Sequence, residues 1–195
     1  MGFFSLILGY LLGSIPSGWI AGRWLKGIDL RELGSGSTGA TNVLRQVGKV
    51  PALVVFLIDV GKGAAAVLVA RALGLGDWIQ VLAGLTALAG HIWPVWLNFK
   101  GGKAVATGFG MFLGLAWPVG LASFGVFLLT LWIFRIVSLS SVLAAVSLPL
   151  LMIRFSGIGS YVLIALVAMG LVLWRHRSNL SRILDGSEPK IGQKD

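Results

Sequence analysis

The sequence predicts an all-α membrane protein with seven transmembrane helices, and three observations carry that prediction. The 195 residues are 56% hydrophobic and only 12% charged, with a mean hydropathy of +0.90; soluble domains are about 45–50% apolar and about 25% charged. The apolar runs are continuous over about 18–24 residues rather than alternating, which favours spanning helices over the strands of a closed barrel. The basic residues flank those runs and gather on one side of them.

Seven apolar segments follow one another at residues 1–25, 50–73, 78–97, 104–117, 119–134, 139–155 and 160–174. The first has no basic residue before its apolar core, and Arg23 and Lys26 follow it. It therefore reads as a retained helix with its N-terminus outside, not as a cleaved leader. The second carries Asp59 and Lys62 within it, and the third runs through His91 to a glycine- and lysine-rich turn. The fourth is short and meets the fifth at Trp117-Pro118, where a break into a tight hairpin is expected because the residue before a proline avoids helical dihedrals. The sixth opens on Ser138, Ser140 and Ser141, and the seventh ends at Arg175-His176-Arg177. The remaining tail, 179–195, is polar and is expected to fray. No long-period repeat is present, and the whole chain, 1–195, reads as a single integral membrane domain.

Orientation follows from Lys and Arg. With the N-terminus outside, the inner loops 26–49, 98–103, 135–138 and 175–195 and their flanks hold Arg23, Lys26, Arg31, Arg45, Lys49, Lys100, Lys103, Arg135, Arg175, Arg177, Arg182, Lys190 and Lys194. The other side holds only Arg71 and Arg154, and Lys62 lies within a helix. This bias places the C-terminus in the cytoplasm. The net charge of +9 is thus a topology signal rather than a nucleic-acid footprint, since it forms no long basic stripe. With no Cys and two His, thiol chemistry is excluded and no metal centre is expected.

Four constellations carry chemistry. The loop from Gly34 to Arg45 contains G-x-G-x-x-G at Gly34, Gly36 and Gly39. No strand precedes it, so a dinucleotide fold does not apply, and Ala40 stands where a P-loop needs Lys. Its glycines still allow close approach to an oxyanion. Ser35, Ser37, Thr38 and Thr41 offer hydroxyls, Asn42 an amide, and Arg45 a planar cation suited to phosphate. The bland alternative is a flexible polar linker.

Asp59 and Lys62 lie three apart on one helix face, with Asp59 about 13 Å from the start of the segment at 1.5 Å per residue. Charges at that depth are either a packing pair or a functional relay. Next, His91 leads through Pro94 and Asn98 to Lys100-Gly101-Gly102-Lys103 and Thr107. Glycines and lysines before a helix N-terminus form a phosphate seat if the N–H groups are free; headgroup anchoring is the alternative for the lysines. Last come Ser141 and its neighbours and His176-Arg177-Ser178-Asn179, where capping and snorkelling compete with substrate contact. The glycine loop, the Gly-Gly-Lys turn, the serines and the His176–Asn179 end all lie on the expected cytoplasmic side, which suggests a pocket for polyanions.

Taken with Gly13-Ser-Ile-Pro16-Ser-Gly18 and Asp59-x-x-Lys62-Gly63, these motifs resemble the bacterial acyl-phosphate:glycerol-3-phosphate acyltransferases over nearly the whole chain. Ser17, before Gly18, reads as a variable position. The resemblance implies seven spanning helices in the bacterial inner membrane and a cytoplasmic active site. The reaction implied moves a fatty acyl group from acyl phosphate to the 1-hydroxyl of glycerol 3-phosphate, giving lysophosphatidic acid and phosphate, the first acylation of phospholipid synthesis. It implies no cofactor, no coenzyme A and no metal. The partners implied are membrane lipid and a soluble enzyme that makes acyl phosphate.

On that reading His91, Lys103, Arg45, His176 and Asn179 are the catalytic candidates. Ser35, Gly36, Ser37, Thr41, Asn42, Lys100, Gly101, Gly102 and Ser141 bind substrate or phosphate, and Asp59 with Lys62 forms a structural pair or relay. The His-x-x-x-x-Asp pair of thioester-dependent acyltransferases is absent: Trp96 and Ser181 stand five positions after the two histidines. A base is still required, and the candidates are His91, His176 and the substrate's own phosphate. The phosphate is preferred because no carboxylate in the motifs orients either histidine. A phosphate-ester transporter and a non-catalytic lipid-binding scaffold are the competing classes. A transporter should show sites near the midplane, at which only Asp59 and Lys62 hint, and a scaffold would not explain the crowded Gly, Ser, Thr and His sites.

Overall fold

A computed structural model describes residues 1–193; Lys194, one of the basic residues counted above, lies outside the described residues. The described chain is helical, without strands, and divides into two compact units, Met1–Leu115 and Ala116–Asp195.

In the first unit the apolar segment expected over 1–25 is two helices, α1 (Gly2–Ser14) and α2 (Ser17–Lys26). Pro16 is the cause. It cannot donate to the helix ladder, and it pushes Ile15 to φ −57°, ψ 115°, off the helical region. A short α3 (Ala40–Gln46) follows the glycine loop. Then come α4 (Lys49–Ala72), α5 (Asp77–Ile92), a 3-10 turn (Val95–Leu97) and α6 (Val105–Leu115). The α1–α5 and α4–α6 pairs pack most closely. On α4, Gly63 abuts the backbone of Thr107, and on α6 Gly110 abuts that of Val60. Small residues let helices approach where lipid supplies no hydrophobic drive between them.

The second unit holds α7 (Trp117–Phe134), α8 (Val137–Phe155), α9 (Gly159–Arg175) and α10 (Arg177–Leu184). Here α8 packs against both α7 and α9, and the Ser123 hydroxyl donates to the Ala144 carbonyl at 3.0 Å. The break expected at Trp117-Pro118 falls one residue earlier, at Ala116 (φ −150°, ψ 89°), with the proline in the first turn of α7; there its missing N–H costs nothing.

Among the described residues five stretches are long and apolar enough to cross a bilayer: Gly2–Lys26, Lys49–Ala72, Asp77–Leu97, Trp117–Phe134 and Val137–Phe155. A sixth arises if α9 and α10, bent by 61°, count as one. The segment expected over 104–117 yields only the 11 residues of α6, about 16 Å at 1.5 Å per residue against a core of about 30 Å. Large apolar side chains such as Leu53, Leu57, Leu129 and Leu150 stay exposed, as lipid-facing positions require. The tail expected to fray is instead ordered through α10 and a following turn, which buries Glu188.

Candidate active site

In the first unit the break between α1 and α2 faces the charged pair of α4. Lys62 Nζ meets Asp59 Oδ1 at 2.8 Å and donates to the Ile15 carbonyl at 3.1 Å, an acceptor released by the broken helix. Ser17 donates its hydroxyl to the same Asp59 oxygen at 2.7 Å. Ser17 is thus bonded into the buried pair. His91 Nδ1 lies 3.7 Å from that oxygen and 3.2 Å from the Thr107 hydroxyl. These side chains are all buried, so each polar group must be satisfied by another. A cavity of about 10 Å³ between them is lined by Ser14, Ser17, Thr38, Lys62 and His91 among others, room for about one water-sized group.

The glycine loop is held from within. The Asn42 amide donates to the carbonyls of Leu30, Leu33 and Ser37 at 2.9–3.0 Å and accepts from the Ser35 N–H at 3.2 Å. It is fully used in shaping the loop, the reason Asn suits this position, rather than offered to a ligand. Asp29, which sequence reasoning passed over, is the loop's second anchor. Its carboxylate takes Arg31 on both oxygens at 2.7 and 3.0 Å, and Arg23 and Trp19 at 3.2 Å each. The Arg31 guanidinium bonded to it holds the Asp29 carboxyl well below the usual carboxylate range. Arg31 also donates to the Leu97 carbonyl at 3.2 Å, which clips the glycine loop to the lysine loop. Gly36, Ser35 and Arg45 stay exposed, with Ser37 and Thr41 half-buried. Among the described residues Arg45 has no ion-pair partner.

The lysine loop is strained. Asn98 (φ 51°), Phe99 (φ 61°) and Ala104 (φ 59°) adopt left-handed backbone without being glycine, a cost that surrounding structure must offset. The expected anion seat at Gly101 and Gly102 has another character. Their N–H groups donate to the carbonyls of Ile92 and His91 at 3.1 Å. A β-carbon on Gly102 would strike the imidazole of His91, and one on Gly101 its carbonyl. The glycines therefore seat His91; of the loop's two lysines, Lys100 is exposed and Lys103 half-buried.

In the second unit His176 joins α9 to α10, and its Nδ1 lies 2.8 Å from the Val172 carbonyl, which places the proton on Nδ1. Ser141 donates to the Val137 carbonyl at 2.9 Å. Asn179 donates to Glu188 Oε1 at 2.6 Å. The sequence reading did not single out Glu188; a lone acid in a polar tail gives no periodic signal.

A profile of the glycerol-3-phosphate acyltransferase family matches residues 3–186, so Glu188 lies just beyond the matched stretch. A glycerol-3-phosphate acyltransferase of Parasynechococcus marenigrum (strain WH8102) is 75% identical over 189 residues, 97% of this chain and 89% of the relative. One of Prochlorococcus marinus (strain MIT 9313) is 71% identical over 192 residues, 97% and 94% of the two chains. The crystal structure of PlsY, an integral membrane glycerol 3-phosphate acyltransferase, in its glycerol 3-phosphate form aligns with a TM-score of 0.93 at 40% identity, covering 98% of this chain and 96% of that one. Its lysophosphatidic acid form aligns with a TM-score of 0.90 at 38% identity, covering 98% and 95%.

Proposed function

The chain belongs to the glycerol-3-phosphate acyltransferase family, and from that membership we propose that it transfers a fatty acyl group from acyl phosphate to the 1-hydroxyl of glycerol 3-phosphate. The products are lysophosphatidic acid and inorganic phosphate. The glycerol 3-phosphate and lysophosphatidic acid forms of the neighbouring structure match the acceptor and the product of this reaction. The observation that carries the donor assignment is the lack of a histidine–carboxylate pair at either His-x-x-x-x position, since Trp96 and Ser181 stand there. A thioester would need more activation than an acyl phosphate, which is already a mixed anhydride.

The hydroxyl oxygen attacks the acyl carbonyl carbon, the carbon–oxygen bond to phosphate breaks, and the hydroxyl proton must leave. Arg45 and Lys103 stabilise the departing phosphate and the developing oxyanion. Positioning of the hydroxyl supplies much of the remaining acceleration. The acceptor's phosphate dianion, with a second pKa near 6, takes the proton. The structure changes one premise of that assignment, because a carboxylate does approach His91. Asp59 is nevertheless already neutralised by Lys62 at 2.8 Å, and stands 3.7 Å from the imidazole, outside hydrogen-bond reach. His91→Gln and His176→Gln should therefore keep a pH–rate inflection belonging to the substrate. Disappearance of the acidic limb in either variant would make that histidine the base.

In this reading the polypeptide crosses the bacterial inner membrane seven times, with α6 as a short crossing, an outer N-terminus and a cytoplasmic site. Cysteines introduced at Gly36 and Gly101 should be labelled from the cytoplasmic side alone. The deciding assay for function is phosphate release by detergent-purified protein. It should occur from acyl phosphate only when glycerol 3-phosphate is present, and acyl-coenzyme A of equal chain length should not replace the donor. Comparable turnover with the thioester defeats the donor assignment.

A further inference from the structure

Thr38 is the point at which the glycine loop turns inward. Leu33, Gly34, Ser35 and Gly36 are exposed, whereas Thr38 is 5% exposed. Gly18, in the first turn of α2, admits it: a β-carbon there would collide with the Thr38 carbonyl. Thr38 thereby lines the cavity at the break between α1 and α2, together with Ser14, Ser17 and Lys62.

Two buried polar groups on this cavity have bonding capacity left over. Among the described residues the Thr38 hydroxyl has no hydrogen-bond partner. An ammonium carries three N–H donors. That of Lys62 directs one to Asp59 at 2.8 Å and one to the Ile15 carbonyl at 3.1 Å; the third has no partner among the described residues. Ser17 gives its proton to Asp59 at 2.7 Å, which leaves its oxygen able to accept. Polar groups kept from bulk water without a partner are destabilising, so the three groups call for a common guest.

The cavity volume of about 10 Å³ is about that of a single water probe. The surroundings choose among guests of that size. A cation would meet the Lys62 ammonium. An anion would sit beside the Asp59 carboxylate, which Lys62 and Ser17 both contact. A neutral molecule that both donates and accepts meets neither repulsion.

We infer that this cavity is a binding site for one water molecule, which accepts from Lys62 Nζ, pairs with the Thr38 hydroxyl and donates to the Ser17 oxygen. Three partners are the usual number for a buried water. The bridge completes the coordination of a buried ammonium. It also fastens the glycine loop to α4 at a residue that neither Asn42 nor Asp29 holds. The site lies wholly within the first unit and is independent of the reaction proposed for the chain.

The test joins a crystal structure of the unaltered protein, at a resolution that shows ordered water, to a double-mutant cycle. Density for one water should lie within about 3.2 Å of both Lys62 Nζ and Thr38 Oγ1. A direct Thr38–Lys62 hydrogen bond, a side chain in the cavity or a lack of density there overturns the inference. Thr38→Val keeps the shape and removes the hydroxyl. It should lower the unfolding midpoint in detergent by about 2–4 °C and speed amide hydrogen exchange across 34–39 about fivefold. Thr38→Ser, which keeps the hydroxyl, should stay near wild type. In the Lys62→Met background, where the water has lost its charged partner, Thr38→Val should shift the midpoint by less than about half as much. Equal shifts in the two backgrounds mean that hydroxyl and ammonium share no guest, and that result overturns the inference; so does wild-type behaviour of Thr38→Val. If Thr38→Val fails to insert, the density in the unaltered protein decides alone.

Discussion

Gly102 lies so close to His91 that a β-carbon on it would fall on the imidazole Nε2. His91 cannot easily retreat, because its Nδ1 is engaged with Thr107 at 3.2 Å and the ring is buried. Gly102→Ala should therefore displace the imidazole and lower activity at least about tenfold, with a stability cost of about 1–3 kcal/mol from overpacking. Gly108, with open space around its would-be β-carbon, is the control: Gly108→Ala should leave rate and unfolding temperature close to wild type. Equal behaviour of the two variants would refute the contact.

The pair Asp59–Lys62 should behave as a unit. Each side chain is at most 3% exposed, and removing one partner leaves a buried charge alone, at a cost of about 3–5 kcal/mol. Asp59→Asn and Lys62→Met should each depress the unfolding midpoint in detergent. The double replacement should lose clearly less than the sum. Strict additivity would mean that the two charges do not stabilise one another.

For the cations, Arg45→Ala and Lys103→Ala should each cut acyl transfer at least about 100-fold in correctly inserted protein, since a charge-assisted contact to substrate phosphate is worth about 3 kcal/mol. Lys100→Ala should cost less, because that side chain is suited to headgroup anchoring. Normal rates in the first two variants would move the anion pocket elsewhere.

Acid should release the glycine loop through Asp29. Its carboxyl is held below the usual range by Arg31, so the clamp's stabilisation is fully present above the unfolded value of about 3.9 and fades as pH falls through the lower folded value. The gap in unfolding temperature between wild type and Asp29→Asn should stay constant from about pH 5 to 8 and shrink on acidification below about pH 4. A gap that widens in acid would contradict the sign of this linkage.

Several features were legible in the sequence because their physics is local. Apolar runs long enough for a bilayer announce helices. Asp59 and Lys62 pair at the spacing of a single helical turn, and the cluster of Gly, Ser and Asn before Arg45 marks a shaped loop. Pro16 was also visible, yet the continuous hydropathy around it masked the break that it causes.

What only the tertiary structure decided lies between residues far apart in the chain. Ser17 reaches Asp59 across 42 positions, and Ser138 reaches Glu188 across 50; no periodicity encodes such meetings. The same holds for Gly101 and Gly102, which looked like donors for an anion until their N–H groups were found on His91 and Ile92. A buried polar group must find a partner, and the sequence states that need. Which partner meets it depends on how α4, α5 and α6, or α8 and α10, are packed, and that packing is a property of the folded chain alone.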